Sequence, residues 1–297
     1  MPAPYVLITA AHNEEGFITR TLDAVTAQAH APVRWVIASD GSTDRTDALV
    51  RDYCHRHDFI ELVRVARRAN EERFASKVYA LQAACQRLAG LEYDFIGNVD
   101  ADVTFAPGYF AALLDNFQRD PALGIAGGII LEQRNGHFAA RATNSLRSVA
   151  HAAQLVRRTC FEEIGGYLPL RYGGEDWCAE ISARLHQWRV QAFAELEVFH
   201  HRPTGGAERL LRHRFREGKA DFSFGSDPLF ELFKCLRRVA EKPALAGALA
   251  RLAGFASGYL RREPSDVPLA VVHFLQAEQR ERVRRVFIHP RSWLADG

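Results

Sequence analysis

Two carboxylates stand one residue apart in the stretch IGNVDADVTFAP (96–107), where Asp100 and Asp102 follow an apolar run. Side chains two positions apart on a strand point to the same side, so these charges would crowd each other unless a cation lay between them. Aspartate oxygens are hard ligands of the kind that bind Mg²⁺ or Mn²⁺. The pair therefore predicts a divalent-cation site, although an isolated D-x-D is more often a capping turn, here before Pro107.

A second candidate for chemistry is the stretch RYGGEDWCAEISARL. Its glycine pair ends at Gly174, which predicts a loop, and Glu175 and Asp176 then open a predicted helix. A carboxylate at such a position can act as a general base once partial burial raises its pKa. Acidic residues in a first helical turn also stabilise a helix unaided, so a purely structural role is the alternative.

Further polar residues follow predicted strands. Asn13 and Glu14 come shortly after YVLITA, and Asp40 comes directly after VRWVIAS. The aspartate pair follows a third apolar run, YDFIGNV. Because ligands of open α/β sheets bind at the carboxyl ends of the strands, we expect these acidic groups to converge on one edge of the sheet.

The elements that must position these groups alternate along the chain. Short runs rich in Val and Ile predict strands, and the stretches between them carry apolar residues at helical spacing. The predicted strands lie at 5–10, 33–39, 60–65, 93–99 and 123–131. Alternating strands and helices predict an α/β fold with a mostly parallel sheet sandwiched by helices. One helix is predicted over 43–56, with Ser42 as its N-cap and Asp44 at its positive end.

Composition describes a globular chain with an uneven distribution of charge. Of 297 residues, 47% are hydrophobic, and the five cysteines show no C-x-x-C spacing, so we expect buried, reduced thiols. The N-terminus lacks the basic start and long apolar core of a secretory signal, which predicts a cytoplasmic location. Over 1–200, 20 Lys and Arg face 25 Asp and Glu (net −5), whereas over 201–297, 18 face 11 (net +7). An acidic body followed by a basic tail is expected.

The tail contains two stretches with helical character. LFELFKCLRRVAEK is amphipathic, with Leu229, Phe233 and Leu236 set against basic residues. The apolar run at 243–260 barely reaches bilayer length, and Arg251 lies inside it at a cost of about 2.5–3.5 kcal/mol on insertion scales. We therefore expect no membrane span, but a pair of helices that lies on a membrane surface or packs against protein, including another subunit.

Six motifs in order carry a resemblance to a known family. They are AAHNEE (10–15), SDGSTD (39–44), ASKVYAL (75–81), DAD (100–102), GGYLPLRYGGEDWCAE (165–180) and VFHHR (198–202). Together they resemble the family 2 glycosyltransferases, which have the nucleotide-sugar-binding GT-A fold. The chain departs from the usual family pattern at Ala10–Asn13 and at Ser76, where a glycine is usual.

The resemblance implies a role for each candidate residue. Nucleotide-sugar binding falls to Ala10, Asn13, Glu14, Asp40, Lys77 and Asp100, and metal binding to Asp102 with His200 or His201. Asp176 is the implied catalytic base and Glu175 its orienting neighbour, while Gly174 and Trp177 contact the acceptor. Lys77 as an exposed helix lysine and Glu14 as a solvated first-turn acid are the structural alternatives.

The function implied is inverting transfer of one sugar from a nucleotide diphosphate sugar, with UDP favoured, to a glycan or lipid-linked acceptor. Mg²⁺ or Mn²⁺ is the implied cofactor, and polysaccharide or cell-envelope synthesis the implied setting, with peripheral membrane contact through the C-terminal helices.

The predicted catalytic domain spans 1–205, divided into a nucleotide-sugar half (about 1–105) and an acceptor half (about 106–205), and 206–297 form a basic helical extension. A sugar-phosphate nucleotidyltransferase and a non-catalytic carbohydrate-binding or regulatory module are the alternatives. No nucleic-acid partner is expected.

Overall fold

The computed structural model describes residues 3–66, 73–134, 136–141, 144–202, 208–239 and 243–288. The chain divides into two compact units. The first unit contains Met1–Pro169 and Glu175–Pro203, and the second contains Leu170–Gly174 and Thr204–Gly297.

The first unit is built on one sheet with helices between its strands. The strands are β1 (Tyr5–Ala11), β2 (Arg34–Asp40), β3 (Ile60–Val65), β4 (Phe95–Val99), β5 (Val103–Phe105), β6 (Leu123–Arg134), β7 (His137–Ala140), β8 (Ala153–Arg157) and β9 (Arg189–His200). The helices are α1 (Ile18–Thr26), α2 (Thr46–Arg56), α3 (Arg73–Gln86), α4 (Tyr109–Arg119), α5 (Arg158–Glu163) and α6 (Glu175–Leu185).

The sheet has the order β3-β2-β1-β4-β8-β6-β9-β5, with β7 paired to β6. Strands β3, β2, β1 and β4 are mutually parallel, and β6 is parallel to β9. Hydrophobic cores cover both faces, because alternate residues of β1 enter opposite cores: Tyr5 and Leu7 one, Val6 and Ile8 the other. The predicted α/β class with helices on both faces is confirmed.

The first four predicted strands are confirmed within two residues of their bounds, and the fifth, predicted at 123–131, is β6 and continues to Arg134. β6 does not extend the parallel set beside β4, because β8 lies between them and pairs antiparallel with both. The sequence of β8, AQLVR, has only two adjacent large apolar residues, Leu155 and Val156, and no strand was predicted there. The missed strand changes which residues stand next to the end of β4.

The start of α2 differs from the predicted one. The helix begins at Thr46 rather than at residue 43, and Ser42 does not cap it. Instead, Asp44 Oδ1 accepts a hydrogen bond from the backbone N–H of Thr46 at 2.9 Å, while the Ser42 hydroxyl accepts one from the N–H of Asn13 at 3.2 Å. Ser42 therefore ties together the loops that follow β1 and β2.

The cysteines carry the expected chemistry. All five are free thiols, of which Cys160, Cys178 and Cys235 are buried and Cys54 and Cys85 are half-buried. Burial raises the pKa of the Cys85 and Cys160 thiols to about 12, so these groups stay protonated at neutral pH.

The second unit is helical. Its helices are α7 (Glu208–Ser223), α8 (Pro228–Arg237), α9 (Ala246–Arg261) and α10 (Leu269–Ile288). α7 and α9 approach closely because each carries a glycine at the contact: a Cβ on Gly218 would lie 1.9 Å from the Arg251 carbonyl oxygen, and one on Gly254 would lie 2.0 Å from that of Phe215. Within the described residues, every helix is too short or too polar to span a bilayer.

The predicted apolar face of α8 is not its buried face. Glu231 and Cys235 are buried, whereas Leu229 and Leu236 are more than half exposed. The inward face is polar because it completes a cluster of charges around Arg251 of α9. Of the alternatives that the sequence left open, burial against other groups of this chain does not hold for Leu229 and Leu236.

Candidate active site

The loops after β1 and β2 are joined by hydrogen bonds at the strand ends. Asp40 closes β2, and its Oδ2 accepts a hydrogen bond from the Ser76 hydroxyl of α3. The next residue, Gly41, has a φ of 64°, a left-handed conformation that suits glycine. His12 Nδ1 lies 2.6 Å from the Asp40 carbonyl oxygen. Asp40 is thus held at the edge of the sheet with its carboxyl group oriented by Ser76.

Asn13 connects the same two loops. Its backbone has a φ of 55°, which asparagine tolerates better than most residues, and its Oδ1 accepts a hydrogen bond from the N–H of Thr43 at 2.8 Å. Ala10 precedes it within β1 and pairs with Ala38 of β2. These residues shape the strand-end edge through backbone geometry.

Asp100 and Asp102 do not lie on one strand, and the expectation that both point to one side of it was wrong. They occupy the turn between β4 and β5. Asp100 Oδ1 lies 2.9 Å from Lys77 Nζ and accepts a hydrogen bond from Asn98 Nδ2 at 3.2 Å. Asp102 Oδ2 instead accepts a hydrogen bond from Arg202 Nε at 2.8 Å. Each aspartate has its own cation, because the turn separates the two side chains.

Lys77 joins the aspartate motif to the acidic motif of α6. Its Nζ lies 3.7 Å from Glu175 Oε1 in addition to its contact with Asp100. Burial disfavours the charged lysine, but Asp100 and Glu175 outweigh it and raise the pKa of Lys77. Burial likewise opposes ionisation of Asp100, while Lys77 and then His151 hold its pKa below its usual value. The three groups form a charged cluster that is ionised at neutral pH.

Glu175 opens α6 as predicted, and its carboxylate is buried. Its Oε1 lies 3.4 Å from Nδ1 of His151, whose ring packs against Tyr167 with 4.4 Å between ring centroids. Burial opposes the ionised form of Glu175, but contact with His151 and the charge of Lys77 keep its pKa well below its usual value. Glu175 is therefore an anion fixed at the start of the helix, unsuited to accept a proton near neutral pH.

Asp176 points to a different environment from that of Glu175. Its Oδ2 accepts a hydrogen bond from the N–H of His151 at 3.3 Å, and its Oδ1 accepts one from the N–H of Trp177 at 2.8 Å. Asp176 and Trp177 line a cavity of about 230 Å³. Polar residues of the cavity wall include Arg141, Asn144, Ser148 and Glu180. A polar cavity next to a carboxylate is suited to a hydroxyl-bearing ligand.

Glu180 lies one helical turn after Asp176 and is 1% exposed. Its Oε1 accepts hydrogen bonds from the N–H of Val149 at 2.5 Å and from the Ser148 hydroxyl at 3.0 Å. Burial raises its pKa to about 8, an effect that the hydrogen bond from Val149 only partly offsets. Glu180 thereby anchors Ser148 and Val149. His151, two residues further along, donates the backbone hydrogen bond to Asp176.

Arg202 is the cation beside Asp102. Its guanidinium group bonds to Asp102 Oδ2 and, through its other branch, to Glu14 Oε2. It also lies over the ring of Phe17, 5.2 Å from the ring centroid. Burial raises the pKa of Glu14 to about 7, because it outweighs the attraction of Arg202, while Asp102 and Asp100 add to the rise. Arg202 ties the loop after β1 to the turn after β4.

The two histidines at the end of β9 face different neighbours, as alternation along a strand requires. His200 Nε2 lies 3.5 Å from Asp102 Oδ1. His201 Nε2 lies 2.8 Å from the Thr104 hydroxyl, and its Nδ1 lies 3.3 Å from Arg20. His200, not His201, therefore shares a site with Asp102.

The Asp102 and His200 pair fits a divalent cation. Two atoms that bind one ion at about 2.1 Å each can lie up to about 4.2 Å apart, and these two atoms are 3.5 Å apart. Nδ1 of His200 is buried without a hydrogen-bond partner among the described residues. Nowhere in the residues that the structure describes do three or more His, Cys, Asp or Glu side chains cluster so that they could hold one ion. The pair would supply two ligands, and a diphosphate and water would have to supply the others, as Mg²⁺ sites commonly do.

Gly174 belongs to the second unit and packs there. Its φ is 91°, and a Cβ at this position would lie 2.5 Å from Phe224 Cζ. A side chain at residue 174 would both strain the backbone and collide with this ring. Residue 174 must therefore be glycine for a structural reason, which the sequence pattern did not reveal.

Three residues of the site were missed in the sequence. Arg202 stood in the quoted motif VFHHR without an assigned role, and its position next to two predicted metal ligands was the available signal. His151 and Glu180 had no such signal, because a lone His and a helical Glu are ordinary residues. Only the approach of α6 to the segment before β8 brings them beside Asp176.

The mixed α/β sheet with helices on both faces is the fold of the GT-A glycosyltransferases. The model of Glycosyl transferase family 2 matches residues 6–173, more than half of the chain, and the protein belongs to this family. It is therefore a glycosyltransferase, as the motifs predicted.

Solved structures of this class share the fold at low sequence identity. The mannosyltransferase PcManGT from Pyrobaculum calidifontis, in complex with GDP-Man and Mn²⁺, is 18% identical with a TM-score of 0.57, over 99% of this chain and 83% of that one. S. aureus TarS 1-349 in complex with UDP-GlcNAc is 14% identical with a TM-score of 0.54, over 97% and 92%. GalNAc-T7 with UDP, GalNAc and Mn²⁺ is 15% identical with a TM-score of 0.55, over 69% and 45%. No curated protein matches the sequence.

Proposed function

We propose that the protein transfers a single sugar, with inversion, from a nucleotide diphosphate sugar to a hydroxyl group of a glycan or lipid-linked acceptor. UDP is the favoured nucleotide of the donor. We assign donor binding to about residues 1–105 and acceptor binding to about 106–205, followed by the helical extension over 206–297. Similar proteins were solved with GDP-Man, UDP-GlcNAc and Mn²⁺, which supports a nucleotide-sugar donor and a divalent metal.

The observation that carries the proposal is the bridge that Lys77 makes between two motifs. Its ammonium group lies 2.9 Å from Asp100 and 3.7 Å from Glu175, so the aspartate motif and the acidic start of α6 belong to one site. Asp176, the next residue after Glu175, lines the adjoining cavity. A donor-side carboxylate cluster and an acceptor-side carboxylate therefore adjoin, which is the arrangement that group transfer between two substrates needs.

The residues divide the chemistry between donor and acceptor. Asp102 and His200 would hold Mg²⁺ or Mn²⁺, and a bound ion would neutralise charge on the departing diphosphate as a Lewis acid. Asp40 and Asn13 lie where a nucleoside would meet the strand ends, with Glu14 beside them. Asp176 takes the proton of the acceptor hydroxyl as that oxygen attacks the anomeric carbon, and Trp177 offers an apolar face to a sugar ring.

Asp176 is a better base than Glu175 for a geometric reason. Glu175 is buried against Lys77 and His151, and its charge is already compensated. Asp176 bonds only to backbone N–H groups among its described hydrogen bonds and lines the cavity. Glu175 orients the start of the helix, and Asp176 meets the substrate.

A screen of nucleotide sugars tests this proposal. Each donor is added to the full-length protein with and without Mn²⁺, and thermal stabilisation and donor hydrolysis are measured. A ligand at a hundred times its dissociation constant stabilises the folded state by about 2.7 kcal/mol, which a melting curve resolves easily. The true donor should stabilise the protein in a metal-dependent manner. If every nucleotide sugar leaves both melting and hydrolysis unchanged, the proposed function is wrong.

We further propose a cytoplasmic location at the inner face of a membrane, in polysaccharide or cell-envelope synthesis. A lipid-linked acceptor would be met at such a surface, and the excess positive charge of residues 201–297 favours it. A truncated protein ending before residue 229 should lose sedimentation with liposomes, whereas the full chain should keep it.

A further inference from the structure

Helix α8 buries a polar face and exposes an apolar one, the opposite of an ordinary surface helix. Its fully buried residue is a glutamate, Glu231, while three leucines at helical spacing face outward. Leu229 is 53% exposed, Leu232 41% and Leu236 55%. In a helix that has no partner outside the chain, these leucines would be expected on the buried side.

Helix α9 is inverted in the same way. Its single charged residue before the last turn, Arg251, is 6% exposed and bonds to carboxylates of three residues, Glu217, Asp221 and Glu231. Every exposed residue from Leu245 to Leu260 is apolar or aromatic. These residues are Leu245, Ala246, Leu249, Ala253, Ala256, Tyr259 and Leu260. They cover one continuous face of the helix at the helical period.

The end of α8 and the start of α9 are neighbours in space. The backbone N–H of Leu245 donates a hydrogen bond to the Val239 carbonyl oxygen at 2.7 Å, so the end of α8 lies beside the start of α9. Among the described residues, thirteen large hydrophobic side chains are exposed, and ten of them lie between Leu211 and Leu269. Exposed apolar surface is thus concentrated in this unit, which marks an interaction site.

The charges around this surface identify its partner. Residues 201–297 carry a net charge of +7, and the arginines nearest the two helix ends, Arg237, Arg261 and Arg262, are exposed. Tyr259 lies next to this arginine pair with more than half of its surface exposed. An apolar face bordered by arginines and an aromatic ring is the pattern of a helix that lies in a membrane interface.

We propose that the exposed faces of α8 and α9 dock on an anionic lipid bilayer, with the leucines among the acyl chains and the arginines at the headgroup phosphates. α9 has 16 residues and is about 24 Å long, which is shorter than the apolar thickness of a bilayer, so it lies in the membrane plane. A second copy fits this surface less well, since two identical units with a net +7 charge repel each other. The inference deepens the proposed function, because it places the enzyme where lipid-linked acceptors occur.

The ion cluster beneath the face has a role in this arrangement. Arg251 holds the inward side of α9 through polar bonds, so the leucines are free to face outward without opening a hydrophobic core. The face is therefore part of the folded structure rather than a product of partial unfolding. Substitutions of its exposed leucines should leave the fold intact.

Flotation of the full-length protein with lipid vesicles tests the proposal. Vesicles of phosphatidylcholine alone are compared with vesicles that also contain phosphatidylglycerol. The wild-type protein should float with the anionic vesicles, and the double variant Leu249→Gln with Leu260→Gln should bind them about a hundredfold more weakly, roughly tenfold for each leucine. Thermal melting checks that the variant is folded.

The matched control is Leu146→Gln, because Leu146 is a leucine of the first unit with an exposure of 55%, nearly that of Leu249. It should bind vesicles like the wild type. If the wild type fails to float, or if the double variant floats equally well, the docking surface is wrong. If the double variant alters the molecular mass at sedimentation equilibrium but not flotation, the face is an interface between copies and the proposal is overturned. Metal-dependent donor hydrolysis, measured without vesicles, reports separately on the proposed function.

Discussion

Lys77 Nζ lies 2.9 Å from Asp100 Oδ1, and this contact separates the roles of the two aspartates in the DAD motif. Asp100 is compensated by a residue of α3, whereas Asp102 faces His200 and Arg202. The two aspartates of the motif therefore lie in different environments: Asp100 belongs to an internal charge cluster, and Asp102 lies beside His200 and Arg202.

The lysine should stabilise the fold as well as the site. In Lys77→Met, the buried Glu175 and the partly exposed Asp100 would lose their main cation, so we expect the free energy of unfolding to fall by about 1–3 kcal/mol, with the contribution of Asp100 reduced by solvent screening. Lys77→Arg keeps the positive charge and should recover most of this loss. Urea unfolding of the three proteins measures the difference. Equal midpoints for the wild type and Lys77→Met would show that the cluster adds nothing to stability.

Two carboxamide substitutions should separate metal binding from proton transfer. Asp176→Asn removes the proposed base and should reduce transfer by about 10²–10⁴-fold while donor binding is kept. Asp102→Asn removes a proposed metal ligand and should lose metal-dependent donor binding as well. Calorimetric titration with Mn²⁺ and the donor, alongside a transfer assay, distinguishes the two. Undiminished transfer in Asp176→Asn would reassign the base, with Glu175 next in line.

Arg202 should compete with a metal for Asp102. Its guanidinium group bonds to Asp102 Oδ2 and to Glu14, so Arg202→Gln should leave Asp102 more open to a cation and strengthen Mn²⁺ binding a few-fold in the absence of nucleotide. The gain is modest because Arg202 is 46% exposed and water screens its charge.

Arg56→Gln is the matched control for this titration. Arg56 is 51% exposed and also pairs with an aspartate, Asp52, but outside the site. Its substitution should leave the Mn²⁺ affinity unchanged. A weaker affinity in Arg202→Gln would mean that Arg202 supports the metal site rather than competing with it.

The sequence predicted the parts of the site that lie directly after strands, and it failed where distant segments meet. Asp40 and the DAD motif could be placed because a strand end fixes the position of the next residue. His151 depends on the approach of α6 to the segment before β8, and no local pattern encodes that approach. α8 is a second case: its amphipathic pattern left open what its leucines contact, and only the structure shows that Glu231 takes the inward position.

Glu180 should make stability depend on pH. Burial raises its pKa from about 4.5 to about 8, so the folded protein holds a proton that the unfolded chain has lost. Between these two pKa values the folded state binds more protons than the unfolded chain. The contribution of Glu180 to the free energy of unfolding must therefore fall as the pH rises. Below about pH 4.5 the contribution is complete, and above about pH 8 it is lost.

Glu180→Gln should flatten this pH dependence. The amide oxygen can still accept the hydrogen bonds from Val149 and Ser148, but it has no proton to lose. We therefore compare the free energy of unfolding of the variant with that of the wild type at pH 6 and at pH 9, by urea unfolding. The difference should favour the variant more at pH 9 than at pH 6. Glu162→Gln is the control, since Glu162 has a side chain that is 58% exposed and should leave the slope nearly unchanged. If Glu180→Gln kept the full wild-type slope, another group would have to be responsible for it.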